Sequence, residues 1–205
     1  MGKVIAYLSA SLDGFVAGPN RGVSNPLGDG GERLHDWVVA LASWREQHGL
    51  EGGESGPDDE VVKTWRPNVG AHVMGRGMFD EGEEPWGDPP PFHTQVFVVT
   101  HRERATVEKQ GGTSYVFVTD GFEAAIGRAK AAAGDRNVVV AGGATVVQQG
   151  LRTGLIDELQ LHLVPILLGG GARLLEGLGP DVKLECIEVV SASPAVTHLR
   201  LRVVK

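Results

Sequence analysis

Cysteine is all but missing from this chain of 205 residues. Cys186 stands alone, so no internal disulfide can form, and a reducing cytoplasm is the expected setting. Long apolar runs are missing too. Nothing approaches the roughly 18–20 apolar residues that span a bilayer, so no membrane partner is expected. The opening "MGKVIAYLSASLDG" lacks the layout of a signal peptide and reads as a strand. Positive charge is short, with 19 Lys and Arg against 26 Asp and Glu, and the formal net charge of −7 argues against a nucleic-acid partner. A local cluster of Arg and His can still oppose that field and hold a small anion. The seven histidines, at 35, 48, 72, 93, 101, 162 and 198, form no H-x-H or H-E-x-x-H group, so no metal is expected.

What remains is an ordinary globular mixture, 41% hydrophobic and 22% charged, and a single domain over 1–205 is expected. Apolar runs of strand type lie at 3–9, 70–75, 95–100, 114–119 and 137–143. Between them, 32–48 repeats Leu34, Trp37, Val38, Leu41 and Trp44 at helical spacing, and a short helix is expected over 58–65. "GLEGGESGPDD" (49–59) is acidic and glycine-rich, and reads as a mobile loop. The helix after 119 has Asp120 and Glu123 as a capping box and Gly134 as its stop. In "DELQLHLVP", Leu159, Leu161 and Leu163 share one face, and Gln160 and His162 the other. The segments 182–190 and 196–204 read as an antiparallel hairpin with one face on the core. The pattern predicts an α/β fold, with a mostly parallel central sheet, flanking helices and antiparallel C-terminal strands.

In such a sheet, ligands collect at the carboxyl ends of the strands. "HVMG" runs into Arg76, "VFVVT" into "HRER" and "VVVA" into "GGAT". If those ends are neighbours, they make a polyphosphate site with a basic rim. Gly142-Gly143 has two readings at this point. One is a tight strand-to-helix turn; the other is a backbone cradle that brings phosphate to a helix N-terminus, with Thr145 adding a hydroxyl. The pair is not the G-x-G-x-x-G fingerprint. Arg104 reads as a solvated loop charge.

"SLDGFVAG", "VMGRGMF", "VFVVTHR" and "VVVAGGATV", in this order, resemble the dihydrofolate reductase superfamily. The tail "GLIDELQLHLVPILLGGGARLLEGL" is similar to the branch holding the reductase domain of riboflavin-biosynthesis deaminase-reductases. The resemblance covers nearly the whole chain and implies a dihydrofolate-reductase-like fold. It also implies an NADPH-dependent reductase, sending hydride to a C=N or C=O of a small heterocyclic or ribosylamino-pyrimidine-like substrate. Gly75 and Arg76 match the family's turn near the adenosine phosphates. Thr100, His101 and Arg102 match the segment that meets the 2′-phosphate, which favours NADPH over NADH. Gly142, Gly143, Ala144 and Thr145 match the diphosphate turn, and Val16, Ala17 and Gly18 the loop over the nicotinamide ribose. Met78 stands where the family often has threonine. "GGERLHDWV" offers Glu32 and Asp36 but no clear match to the folate-binding carboxylate, and His162 replaces the threonine that supports it. These departures argue against a true dihydrofolate reductase, which stays an alternative beside an NADPH-binding or sensing protein without turnover. The His-Cys-Cys zinc deaminase segment is absent from the sequence.

Other residues carry two readings each. Asp13 either polarises a substrate hydroxyl or amine or relays a proton at the nicotinamide end, where proton delivery comes from water or from Asp13, or it is a turn aspartate bonded to its own backbone. Trp37 lines the substrate pocket or packs in the core. Asp36 contacts substrate or is solvated, and His162 faces the substrate cavity or the interior. Gly169 and Gly170 meet substrate phosphate or only turn the chain. His198 reads as solvent-facing and Cys186 as inert packing. The open edge of the C-terminal hairpin makes a homodimer the expected assembly.

Overall fold

The computed structural model describes residues 2–65 and 68–205. The opening apolar run forms β1 (Val4–Ser11), and a short β2 (Phe15–Ala17) follows. The periodic stretch from Glu32 does not make one helix. It breaks into a 3-10 turn (Gly31–Leu34), α1 (Asp36–Val39) and α2 (Ala42–Gln47), with Leu41 extended before α2 at ψ 144°. The cause is Glu54. Its N–H donates to the Ala40 carbonyl and its carbonyl accepts from the Ala42 N–H, each at 2.8 Å, so the break bonds outward rather than along a helix. The loop expected to be mobile is therefore pinned along that break. α3 (Pro57–Trp65) follows with Pro57 first and Asp58, Asp59 and Glu60 in its opening turn, residue types that a helix N-terminus favours.

Strands and helices then alternate. They are β3 (Val69–Gly75), α4 (Arg76–Gly82), β4 (Gln95–Val99), the two-residue β5 (Val107–Glu108), β6 (Ser114–Val118), α5 (Phe122–Ala133), β7 (Asn137–Gly142), α6 (Ala144–Arg152) and β8 (Glu158–Val164). After a small β9 (Ala172–Arg173), β10 (Lys183–Val190) and β11 (Thr197–Val204) make the expected hairpin, with a bulge between Cys186 and Glu188.

One nine-stranded sheet runs β10-β11-β8-β1-β7-β3-β4-β6-β5. The strands from β8 through β6 in that order are parallel, and β11, β10 and β5 add antiparallel pairings. This is the mostly parallel α/β sheet with antiparallel closing strands that the sequence predicts. α5 lays Phe122, Ala125, Ile126 and Ala129 onto a core with Val73, Phe97, Val118 and Val140. Burying each large apolar side chain there contributes about 1.5–3 kcal/mol. Among the described residues no helix is long and apolar enough to cross a membrane.

Three local expectations are corrected. Asp120 does not cap α5: Gly121 holds that position with no side-chain bond, and Asp120 pairs with Arg128 at 2.7 Å. Cys186 is exposed, because β10 is an edge strand with little packed over it. His198 is fully buried instead of solvent-facing. α1 and α3 cover the polar face of β8 and β11, so Gln160, His162 and His198 are enclosed.

Candidate active site

The carboxyl ends of the parallel strands lie along one edge of the sheet, with β7 between β1 and β3. At its centre two turns pack together. A Cβ on Gly75 would lie 2.9 Å from Val146 Cγ2 and 3.7 Å from the Gly143 nitrogen, so the end of β3 tolerates nothing larger beside the β7–α6 turn. Gly142 sits at φ +130°, a conformation open to glycine, and the Gly142–Gly143 peptide is cis. Gly143 is the N-cap of α6 and supplies no side chain, while its carbonyl accepts from Val146 and Val147 at 3.1 and 3.3 Å. The first amides of α6, from Ala144 and Thr145, have no carbonyl within the helix to bond. Thr145 is exposed beside them.

A cationic wall stands on the β3–β4–β6 side. Arg76 Nε donates to Asp80 at 2.6 Å, and Arg102 reaches the other oxygen of Asp80 at 3.8 Å. Thr100 is buried, and its Oγ1 accepts from the Arg102 N–H at 3.0 Å, fixing the turn that carries His101 and Arg102 into solvent. Arg104 is not a free loop charge. It grips Glu83 with two bonds of 2.9 and 2.6 Å, and its guanidinium lies over Phe79 and Phe117 at 5.2 and 5.3 Å. Arg76 stacks on the same rings at 5.9 and 5.6 Å. Glu103, Arg104, Ala105, Phe117 and Thr119 line a cavity of about 420 Å³ at this end.

Arg21, which the sequence reading passed over, joins the wall from the opposite side. Asp29 holds its loop, accepting from Asn20 at 2.6 Å and from Asn25 at 2.9 Å. Its guanidinium nitrogens lie 3.4 and 3.5 Å from where Cβ atoms on Gly77 and Gly143 would stand, and its Nε meets Glu81 at 3.1 Å. Burial lifts the Glu81 carboxyl above its ordinary range, against the pull of Arg21.

β2 places Val16, Ala17 and Gly18 over the end of β1 by pairing with β9. The approach needs glycine, since a Cβ on Gly171 would lie 2.0 Å from the Ala17 carbonyl oxygen. Asp13 ties this region together. Its carboxylate accepts from Ser11 Oγ at 2.6 Å, Leu168 N at 3.2 Å and Gly169 N at 2.8 Å. The Ser11 bond, helped by the two amides and opposed by desolvation, lowers its pKa to about 2. Such a group holds no proton to give near neutrality, so the geometry is that of a loop clamp. The Gly169 amide is spent on Asp13 and does not face the crevice as an anion donor, while Gly170 lies beside Pro19.

Trp37 packs in the core and also borders a cavity. It is buried, and its Nε1 donates to Ser9 Oγ at 3.1 Å, yet with Arg33, Asp36, Val164, Pro165, Ile166 and Ala195 it lines a cavity of about 240 Å³. Asp36 is exposed at that rim. His162 does not reach the cavity. It is fully buried beneath Trp37, with ring centres 4.9 Å apart, and its Nδ1 lies 2.6 Å from His198 Nδ1. Among the described residues no group of three or more His, Cys, Asp and Glu is arranged to hold a metal ion.

The model of the RibD C-terminal domain family matches residues 2–198. The uncharacterized protein YwjB of Bacillus subtilis (strain 168) is 24% identical over 182 residues, spanning 89% of this chain and 87% of its own. A putative riboflavin biosynthesis protein from Shewanella sp. PV-4 superposes over 100% of both chains with a TM-score of 0.67 at 21% identity. Dihydrofolate reductase from Enterococcus faecalis, solved as a complex with NADP(H), gives a TM-score of 0.57 at 14% identity over 98% of this chain and 96% of its own.

Proposed function

The chain belongs to the RibD C-terminal domain family, and from that membership and the crevice we propose that it is a reductase using NADPH. The observation that carries the cofactor is the pairing of a glycine cradle with a cationic wall. Gly75, Gly142 and Gly143 let the β3 and β7 turns pack closely at the start of α6, with Arg21 beside Gly143 and Arg76, Arg102 and Arg104 on the cationic wall. That donor set suits a diphosphate on the α6 amides and a phosphate dianion at the Arg76–Arg102 end. When bound, NADPH supplies hydride from its nicotinamide ring.

The chain's own residues do the rest. Val16–Gly18 hold one wall of the nicotinamide end, and Asp13 fixes that wall by binding the 168–169 loop. Trp37 offers a flat apolar surface for a small heterocycle, with Arg33 and Asp36 at the polar rim. The substrate class we propose is a ribosylamino-pyrimidine or similar heterocycle reduced at C=N or C=O. Positioning and charge are the protein's contribution.

A second reading, NADPH binding without turnover, has one observation in its favour: Tyr7, Trp37, Trp65, His162 and His198 fill the space below the cavity with rings. Calorimetric titration with NADPH and then NADH tests the cofactor. Tight NADPH and weak NADH binding supports it, and binding of neither overturns both readings. Oxidation of NADPH with 5-amino-6-(5-phosphoribosylamino)uracil, followed by absorbance, separates the two.

A further inference from the structure

Free hydrogen-bond donors are scarce on the lining of the Trp37 cavity. Pro165 has no N–H to offer. The Ile166 amide donates to the Val164 carbonyl at 2.8 Å, and the Ala195 amide to Ser193 Oγ at 3.2 Å. Trp37 spends its Nε1 hydrogen on Ser9 Oγ. Arg33 and Asp36 are the polar side chains of the lining, and a carboxylate only accepts. The guanidinium of Arg33 is therefore the free side-chain donor at this cavity.

That freedom sets Arg33 apart. Every other described arginine holds a carboxylate or a backbone carbonyl, while the Arg33 side chain makes no hydrogen bond or ion pair among the described residues. Its backbone is nevertheless fixed. The Gly31 amide donates to the Gly28 carbonyl at 3.1 Å, a Cβ on Gly31 would lie 3.1 Å from the Gly18 nitrogen, and Leu34 is fully buried. Arg33 thus stands two residues from a contact with the Val16–Gly18 segment. The opposite wall of the cavity is tied to the same region. Leu12 N donates to the Ile166 carbonyl at 2.9 Å, and Leu168 N to the Asp13 carboxylate.

We propose that Arg33 sets the specificity of this cavity, selecting a flat heterocycle that carries an anionic group, a phosphate ester or a carboxylate, for the guanidinium to hold. This deepens the reductase reading and rests on it. The ring packs against Trp37, and the anion stays at the mouth, where Arg33 is exposed. A guanidinium presents paired N–H groups in one plane, a geometry that two oxygens of a phosphate or a carboxylate match.

Charge makes this hold selective. The chain carries a formal net charge of −7, and Glu32 and Asp36 are exposed on either side of Arg33 in sequence. An anion approaching without that cation meets repulsion. A neutral ring compound has no charge for the guanidinium to pair with, and keeps the apolar contact with Trp37, Val164, Pro165 and Ile166. Because the anion contact is open to water, its expected weight is modest, roughly tenfold in affinity. Arg33 holds a group remote from the reacting carbon, so it acts on binding: KM for the anionic substrate rises on its removal and kcat stays.

Two matched pairs of ligands test this by calorimetric titration, with and without saturating NADP+. One pair is 5-amino-6-(5-phosphoribosylamino)uracil and its dephosphorylated form. The other is dihydrofolate and 6-methyl-7,8-dihydropterin, which lacks the carboxylates. Wild type should bind the anionic member of one pair roughly tenfold tighter than the neutral member, and that pair identifies the anion. Arg33→Ala should bring the ratio close to one while the neutral member binds as in wild type, and Arg33→Glu should reverse it. Equal binding of both members in wild type, a ratio that Arg33→Ala leaves in place, equal losses for both members, or binding of none of the four overturns the proposal. Arg33 is exposed and unbonded, so both variants should unfold in urea as wild type does; loss of the fold would make the residue structural and overturn the proposal too. With turnover in hand, a loss in kcat at unchanged KM also counts against it. Failure of wild type to bind NADPH removes the reductase reading, while the titrations without NADP+ still decide whether Arg33 holds an anion.

Discussion

The guanidinium of Arg21 sits 3.5 Å from the point where a side chain on Gly143 would begin. A cation is thereby parked at the opening of α6, where the helix N-terminus is already positive, with Glu81 as its nearby counter-charge. An anion bound at the turn would gain from both. Arg21→Ala is expected to weaken NADPH binding by roughly tenfold, the scale of one charge-assisted hydrogen bond. Calorimetry on the two proteins checks it, and equal affinities would remove Arg21 from the site.

Arg76 and Arg102 share Asp80, which holds them side by side facing the same end of the crevice. If that end receives the extra phosphate of NADPH, Arg76→Ala and Arg102→Ala should each cost roughly ten- to a hundredfold for NADPH and far less for NADH. Titrating both nucleotides into each variant gives the ratio. Parallel losses for the two nucleotides would place the arginines elsewhere on the cofactor.

Much of this crevice is legible along the chain because each turn is local: a strand, a glycine and a helix start within a few residues, as at Gly142–Thr145. The fold class follows from the same alternation. What stayed hidden depends on distant contacts. His198 reads as solvent-facing because an alternating strand shows one polar face, and the cover comes from α1 and from α3, whose Asp58 lies 140 residues away in sequence. The 32–48 helix is broken by hydrogen bonds from Glu54, which periodicity cannot see. Arg104 and Glu83 find each other across the β4 turn. Arg21 carried one usable signal, a lone cation in the tight "GPNRG" loop beside a recognised motif.

Gly142 offers a test of the cradle that needs no substrate. At φ +130° an alanine is strained, and its Cβ would press to 3.3 Å from Met78 Sδ. Gly142→Ala should lower unfolding stability by about 1–3 kcal/mol and abolish measurable NADPH binding. Urea unfolding and calorimetry read the two effects separately. A stable variant that still binds NADPH as wild type would mean that the turn makes no close backbone approach to a ligand.

Asp13 predicts a pH effect with a definite sign. Its folded pKa of about 2 lies below the ordinary 3.8, because Ser11 Oγ and the amides of Leu168 and Gly169 bond the charged form. The folded state therefore binds this proton less readily than the unfolded one. Its contribution is fully present above pH 3.8 and fades as pH falls through about 2. Asp13→Asn keeps the shape but removes the charge, so it should flatten this part of the stability–pH curve and loosen the 168–169 loop. Urea midpoints between neutral pH and the acid limit of folding, with amide exchange at Gly169, measure both. Since the clamp positions the nicotinamide wall without supplying a proton, the variant should lose NADPH affinity while the pH dependence of any remaining turnover near neutrality stays as in wild type. A new pH dependence there would return Asp13 to the proton path.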